Sequence, residues 1–97
     1  MFARVATFQW KSNMIDEAIR IYEEDITPAC KVKKGFRGGY FLTDRETGKG
    51  IAITLWDTKE DIIDTEESGF FKEQVGKFKD CWITPPAREI YEVSAQG

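Results

Sequence analysis

Phe36-Arg37-Gly38-Gly39-Tyr40-Phe41-Leu42-Thr43, then Asp44-Arg45-Glu46-Thr47-Gly48, then Lys49-Gly50-Ile51-Ala52-Ile53-Thr54-Leu55-Trp56 is the stretch that settles the architecture. Two strand-like runs joined by a short turn ending in glycine predict a β-hairpin, with a type I turn and Gly48 in the left-handed conformation. A turn closing on Arg45 and Lys49 sets Gly38 opposite Trp56 and Tyr40 opposite Thr54. One face then carries Phe36, Gly38, Tyr40, Leu42, Ala52, Thr54 and Trp56, and the other Phe41, Ile51, Ile53 and Leu55. A slip of one residue would reshuffle these sets.

Upstream, Phe2 to Trp10 alternates as a strand, with Phe2, Ala6, Phe8 and Trp10 on one phase and Arg4 as a charged intruder among them. Asn13, with Asp16 three residues on, predicts a helix start. Met14, Ala18, Ile21, Tyr22 and Ile26 then recur at helical spacing, with acidic residues on the wet side. Pro28 is expected to kink or interrupt this helix, and Lys33-Lys34-Gly35 to end it.

Downstream, Thr58-Lys59-Glu60-Asp61 has capping-box spacing and opens a second helix near Ile62 and Ile63. Ser68-Gly69 breaks it, and Phe71, Val75 and Phe78 mark a further helical segment. Pro85-Pro86 ends the helical part, and Ala87 to Ser94 reads as a last strand with Ile90, Tyr91 and Val93 inside. The order is β-α-β-β-α-β in one domain over residues 1–97. That is an α+β, ferredoxin-like antiparallel sheet with helices on one face.

Such a sheet normally turns polar residues to water on its open face, yet both phases of this hairpin are apolar. The helices can cover one face only. A chain of 97 residues buries roughly 65% of its extended surface on folding, which is marginal for a core that must stand alone. A second copy packed sheet against sheet, in a homodimer, is the expected cover.

Composition narrows the chemistry. The chain is 41% apolar, 13% aromatic and 32% charged, which suits a globular domain. It has no histidine, hence no imidazole base, no Ser-His or Cys-His nucleophile pair and no histidine-ligated haem. A net charge of −3 gives nonspecific nucleic-acid binding little support. No apolar run reaches the roughly 18–20 residues of a membrane span, and Met1-Phe2-Ala3-Arg4-Val5 does not read as a signal peptide, so a cytoplasmic protein without membrane partner is expected. Cys30 and Cys81 form no CxxC and suggest neither a disulfide framework nor a metal site; they are expected to pack as small buried hydrophobes. No GxGxxG or P-loop is present, and no cofactor is expected.

Lys34-Gly35-Phe36-Arg37-Gly38-Gly39-Tyr40, the turn Asp44 to Gly48, the strand end Thr54-Leu55-Trp56-Asp57-Thr58 and Pro85-Pro86, in this order and spacing, resemble the antibiotic biosynthesis monooxygenase domain family. That family is a branch of the dimeric α+β barrel proteins. The resemblance runs from about Met1 to Val93. It implies two ferredoxin-like protomers whose sheets share a barrel, with a pocket in each between sheet and helices. Members include cofactor-free oxygenases that turn aromatic polyketides or quinols into quinones, haem-degrading oxygenases, and isomerases of small metabolites. The quinone-forming members carry a Trp at the end of the third strand, which Trp56 matches. Their Asn four residues earlier corresponds to Ala52, and their helical Arg to Glu73. The histidine ligand of the haem degraders falls on Val75, so haem degradation by that route is excluded.

What the resemblance implies here is oxidation of a quinol or aromatic phenol by O₂. Trp56 would be the catalytic candidate, in a substrate pocket of Tyr40, Thr54, Ala52, Phe71 and Val75. Trp56 and Tyr40 would stack on an aromatic ligand, Thr54 would hydrogen-bond a ring oxygen, and Arg37 or Arg88 would stabilise a phenolate if either reached the pocket. Two other readings stand beside it. One is a small-molecule binding protein without catalysis; the other is an isomerase of a small metabolite using a carboxylate or Tyr base.

Overall fold

The computed structural model describes every residue from Met1 to Gly97. The first strand, β1 (Phe2–Trp10), buries Ala6, Phe8 and Trp10 on the phase its alternation predicts. One helical path follows in three parts: α1 (Ile15–Ile21), a single wide π-helical turn over Tyr22–Ile26, and α2 (Thr27–Lys31). The path begins at Met14 with no side-chain cap, so the expected Asn13–Asp16 capping box does not form.

Pro28 does not break the helix. It sits in the first turn of α2, where its missing N–H is not needed, and the Thr27 N–H before it already reaches back five residues to the Tyr22 carbonyl. The wide turn also corrects phase. Positions four apart on a regular α-helix drift by about 40° per step. With one loosened turn, Ala18, Tyr22, Ile26 and Cys30 all stay buried on the face toward the sheet.

The hairpin forms from β2 (Phe36–Thr43) and β3 (Lys49–Trp56), with Gly48 at φ +77° as expected. Its register corrects the expected one. Asp44 rather than Arg45 closes the turn: its N–H donates to the Lys49 carbonyl, and its carboxylate accepts from the Glu46 N–H at 3.0 Å. Tyr40 therefore pairs with Ile53, Phe41 with Ala52, and Gly39 with Thr54. Phe41 moves to the helix side, and Tyr40 and Leu42 to the other. A bulge at Gly38, whose φ of +130° suits glycine, returns Phe36 to the helix side opposite Trp56.

Helix α3 (Lys59–Glu67) starts where its sequence predicts, with Thr58 Oγ1 accepting from the Asp61 N–H at 3.0 Å. Gly69, at φ +86°, separates it from α4 (Phe70–Gly76). The last strand, β4 (Trp82–Glu92), begins before Pro85-Pro86 instead of after it. It is an edge strand, and its pairing with β1 is irregular at that point, so the prolines displace no ladder hydrogen bond.

The sheet is antiparallel throughout in the order β2-β3-β1-β4, the ferredoxin-like arrangement. Every helix packs on the face of Ala6, Phe8, Trp10 and Trp56. The opposite face has no cover. There Tyr40, Leu42 and Tyr91 are exposed and Val5, Ile51, Ile53 and Leu55 half-buried, so Tyr91 lies outside rather than inside. No helix is long and apolar enough to cross a membrane.

Candidate functional site

Between the sheet and the helices lie two adjoining spaces that share Arg4, Ala6, Phe71 and Val75 as walls. Ala6 and Ala52 pair across the two central strands, and these small side chains leave room that larger ones would fill. The inner space is a chamber of about 30 Å³, enough for one water. The wide helical turn supplies Tyr22 and Ile26 to its wall, α2 supplies Cys30, β3 supplies Ala52 and Thr54, and α4 supplies Phe71, Gln74 and Val75. The outer space is a groove of about 390 Å³, within the range of small-molecule sites, bordered by Glu66, Lys72, Pro86 and Arg88. A larger cleft of about 660 Å³, between α1 and the turn after α4, is open and lined mostly by exposed polar groups of both signs.

Apart from Arg4 at its border, the chamber is lined by neutral groups. Burial pushes the Tyr22 phenol up to about 12 and the Cys30 thiol up to about 11, so both keep their protons near neutrality. Thr54 Oγ1 is fully buried there and has no hydrogen-bond partner. The Gln74 side-chain carbonyl accepts from Lys77 Nζ at 2.8 Å.

The groove is a place of charge. Arg4 stands on the inward phase of β1, opposite Thr54 on one side and Ile90 on the other. Its guanidinium carbon lies 3.9 Å from the centroid of the Phe71 ring, and its Nε donates to Glu66 at 2.9 Å. Arg88 donates to both oxygens of the same carboxylate through Nε, at 2.6 Å, and Nη2. Burial alone would raise the Glu66 carboxyl; the hydrogen bonds and charges of Arg88 and Arg4 outweigh it and hold the group below its usual range. Burial also pulls the Arg4 guanidinium down, though Glu66 opposes this.

Among the residues proposed from sequence, Thr54, Ala52, Phe71 and Val75 meet at the chamber, and Arg88 reaches the groove. Tyr40 does not. The shifted hairpin register puts it on the open face, 62% exposed. Trp56 borders neither space. It is 0% exposed and packs edge-on against Phe36 and Phe71, so it reaches the site through Phe71 alone, and its indole N–H has no partner. Arg37 is occupied at the surface by Asp57, and Glu73 lines neither space. Arg4 is the residue the motifs passed over, although a charge within the apolar phase of β1 was its signal.

Nowhere do three acidic or cysteine side chains converge as a metal site would need. Nor do these residues suit haem: the chain has no imidazole, and the one thiol at the chamber is held protonated.

No family model matches the chain. Two curated relatives, the uncharacterized proteins Rv2557 and MT2634 of Mycobacterium tuberculosis, are each 30% identical over 98% of it. The chain spans 42% of their length. Among solved structures, a protein designated an antibiotic biosynthesis monooxygenase from Bordetella bronchiseptica superposes with a TM-score of 0.82, at 14% identity over 97% of both chains. The ActVA-Orf6 monooxygenase of Streptomyces coelicolor, in complex with nanaomycin D, also gives 0.82, at 10% identity over 98% of this chain and 88% of that one. The haem degrader MhuD of Mycobacterium tuberculosis, with two haems bound in its active site, gives 0.80, at 13% identity over 100% and 99%. The chain thus has the antibiotic biosynthesis monooxygenase fold.

Proposed function

We propose that this chain is a member of the antibiotic biosynthesis monooxygenase family and oxidises an aromatic phenol, quinol or anthrone with O₂, using no cofactor. The observation that supports the reading is the contrast within one site: a small, mostly apolar chamber with room for one water, opening into a groove rimmed by Arg4, Arg88 and Lys72. Cations at the mouth lower the cost of ionising a bound phenol or enol, which is the step that makes such a ring a reductant. The ionised ring passes one electron to O₂. The radical pair combines into a C–O bond, and the peroxide takes a proton. For an anthrone, loss of the second C–H proton with cleavage of the O–O bond leaves a quinone carbonyl and one water. In this reading Thr54 Oγ1, buried without a partner in the chamber wall, supplies a donor for a ring oxygen that reaches the chamber mouth, and Trp56 acts by backing Phe71.

The partner we propose is a second copy of the chain, since the open sheet face carries Leu42, Ile51, Ile53 and Leu55 without cover. Two buried, free cysteines suit a reducing, cytoplasmic setting. A second reading, a binding protein without catalysis, is favoured by the lack of a base: Glu66 is the only carboxylate at either space, and two arginines hold it ionised and occupied. The same fact counts against an isomerase.

Oxygen uptake by metal-free protein against a panel of anthrones and quinols tests the proposal. We expect quinone to form with one O₂ consumed per anthrone, and the rate to fall about 10²-fold in Arg88→Gln. No uptake above the uncatalysed rate across the panel overturns the oxygenase reading in favour of the binding one.

A further inference from the structure

We propose that the groove receives the carboxylate of a planar aromatic acid, with Arg4, Arg88 and Lys72 as its anion site and the ring directed toward the chamber. This names the substrate class of the site just described, and rests on reading that site as a ligand pocket.

The chain as a whole is negative, yet the groove gathers three cations around one carboxylate. Glu66 is shared by Arg4 and Arg88, so it neutralises one of them, and Lys72 pairs with no carboxylate. A guanidinium on the inward phase of an apolar strand is costly to bury without compensation, and Arg4 is compensated only in part. It makes one hydrogen bond, through Nε, so its two terminal amines are not committed within the chain. The Phe71 ring and the Glu66 hydrogen bond together hold the guanidinium at the border of both spaces. A fixed guanidinium with an open edge is the geometry that takes a carboxylate.

The rest of the groove says what the anion is attached to. Its floor is Ala6, Phe71, Val75 and Pro86, which offers flat apolar contact and no hydrogen bonds from side chains. Toward the chamber, the buried and unpartnered Thr54 Oγ1 stands beyond Arg4 on the neighbouring strand. An aromatic acid with a hydroxyl or carbonyl at its far end would satisfy both ends; a neutral hydrocarbon would leave the cations unanswered.

Calorimetric titration with 2-naphthoate and its neutral isostere 2-naphthamide tests this. We expect the naphthoate to bind at least about tenfold more tightly at low salt, with the margin shrinking as salt rises. Arg88→Gln should reduce naphthoate affinity about tenfold and Lys72→Gln about threefold, with naphthamide unmoved. Arg4 is too buried for its variants to be trusted to fold, whereas Lys72 is a surface residue whose replacement leaves the core intact. Equal binding of the two compounds, binding of neither, or naphthoate binding indifferent to both substitutions overturns the inference. Naphthoate selectivity without oxygen uptake on any quinol would uphold it and remove the oxygenase reading. Oxygen uptake with no preference for acids would do the reverse.

Discussion

Arg4 lies over the ring of Phe71, guanidinium carbon to ring centroid at 3.9 Å, in a position where every other inward residue of β1 is apolar. The ring is in turn held edge-on by Trp56 and by Phe70, so the one charge on this strand is braced by a row of aromatics as well as by Glu66.

Glu66→Gln should therefore destabilise the protein by about 2 kcal/mol at pH 7. The value lies below the roughly 3–5 kcal/mol of a fully buried pair because Arg88 is partly exposed. The Glu66 carboxyl is lowered in the folded chain, so its contribution is complete above the unfolded value of about 4.3 and is lost as pH falls further. Urea melts of both proteins from pH 7 to 3 should show the gap closing only below that value. A gap independent of pH would contradict the ion-pair account.

Thr54→Val removes a hydroxyl that is buried without a partner, and changes shape little. The ligand-free protein should be unchanged or up to about 1 kcal/mol more stable. Turnover should nevertheless fall, which separates the residue's use from its packing. Thermal melts and oxygen uptake on the same preparation check both.

Two glycines should respond in opposite directions. A Cβ on Gly50 would stand 2.0 Å from Trp10 Nε1, in a ring that has no freedom to retreat, so Gly50→Ala should cost about 2–3 kcal/mol. A Cβ on Gly76, at the end of α4, meets nothing, and Gly76→Ala should add about 0.5 kcal/mol. Urea midpoints decide both.

Ile53→Asp places a charge at the middle of the uncovered face. Wild type should scatter light as twice the chain mass at micromolar concentration, and the variant as one chain with its secondary structure kept. Wild type scattering as a single chain would remove the second copy as the cover.

The first three strands, the capped start of α3 and the uncovered face were legible because each rests on local spacing: alternation in β1, Thr58 three residues before Asp61, apolar phases on both sides of the hairpin. The hairpin register was not, because the Asp44 carboxylate adds one residue to the turn, and a single residue moves Tyr40 and Phe41 to opposite faces. Thr54, Ala52, Phe71 and Val75 could be grouped from sequence as lining one space, since the phase of β3 and the helical spacing of α4 were both right. Trp56 matched a motif but lies behind Phe71. Arg4 belonged to no motif, and its meaning came only when α3 and β4 brought Glu66 and Arg88 to it.

The wide turn over Tyr22–Ile26 makes chain length itself a determinant of the chamber. Deleting a single exposed residue there, Glu24 for instance, would let the helix wind regularly, and Tyr22 and Cys30, then seven apart, would differ by only about 20° and still face the same cavity. Adding a residue would instead turn all that precedes it by about 100° against all that follows, unless the turn widened again. The helix can be shortened here by one residue without dismantling the wall of the site, but not lengthened.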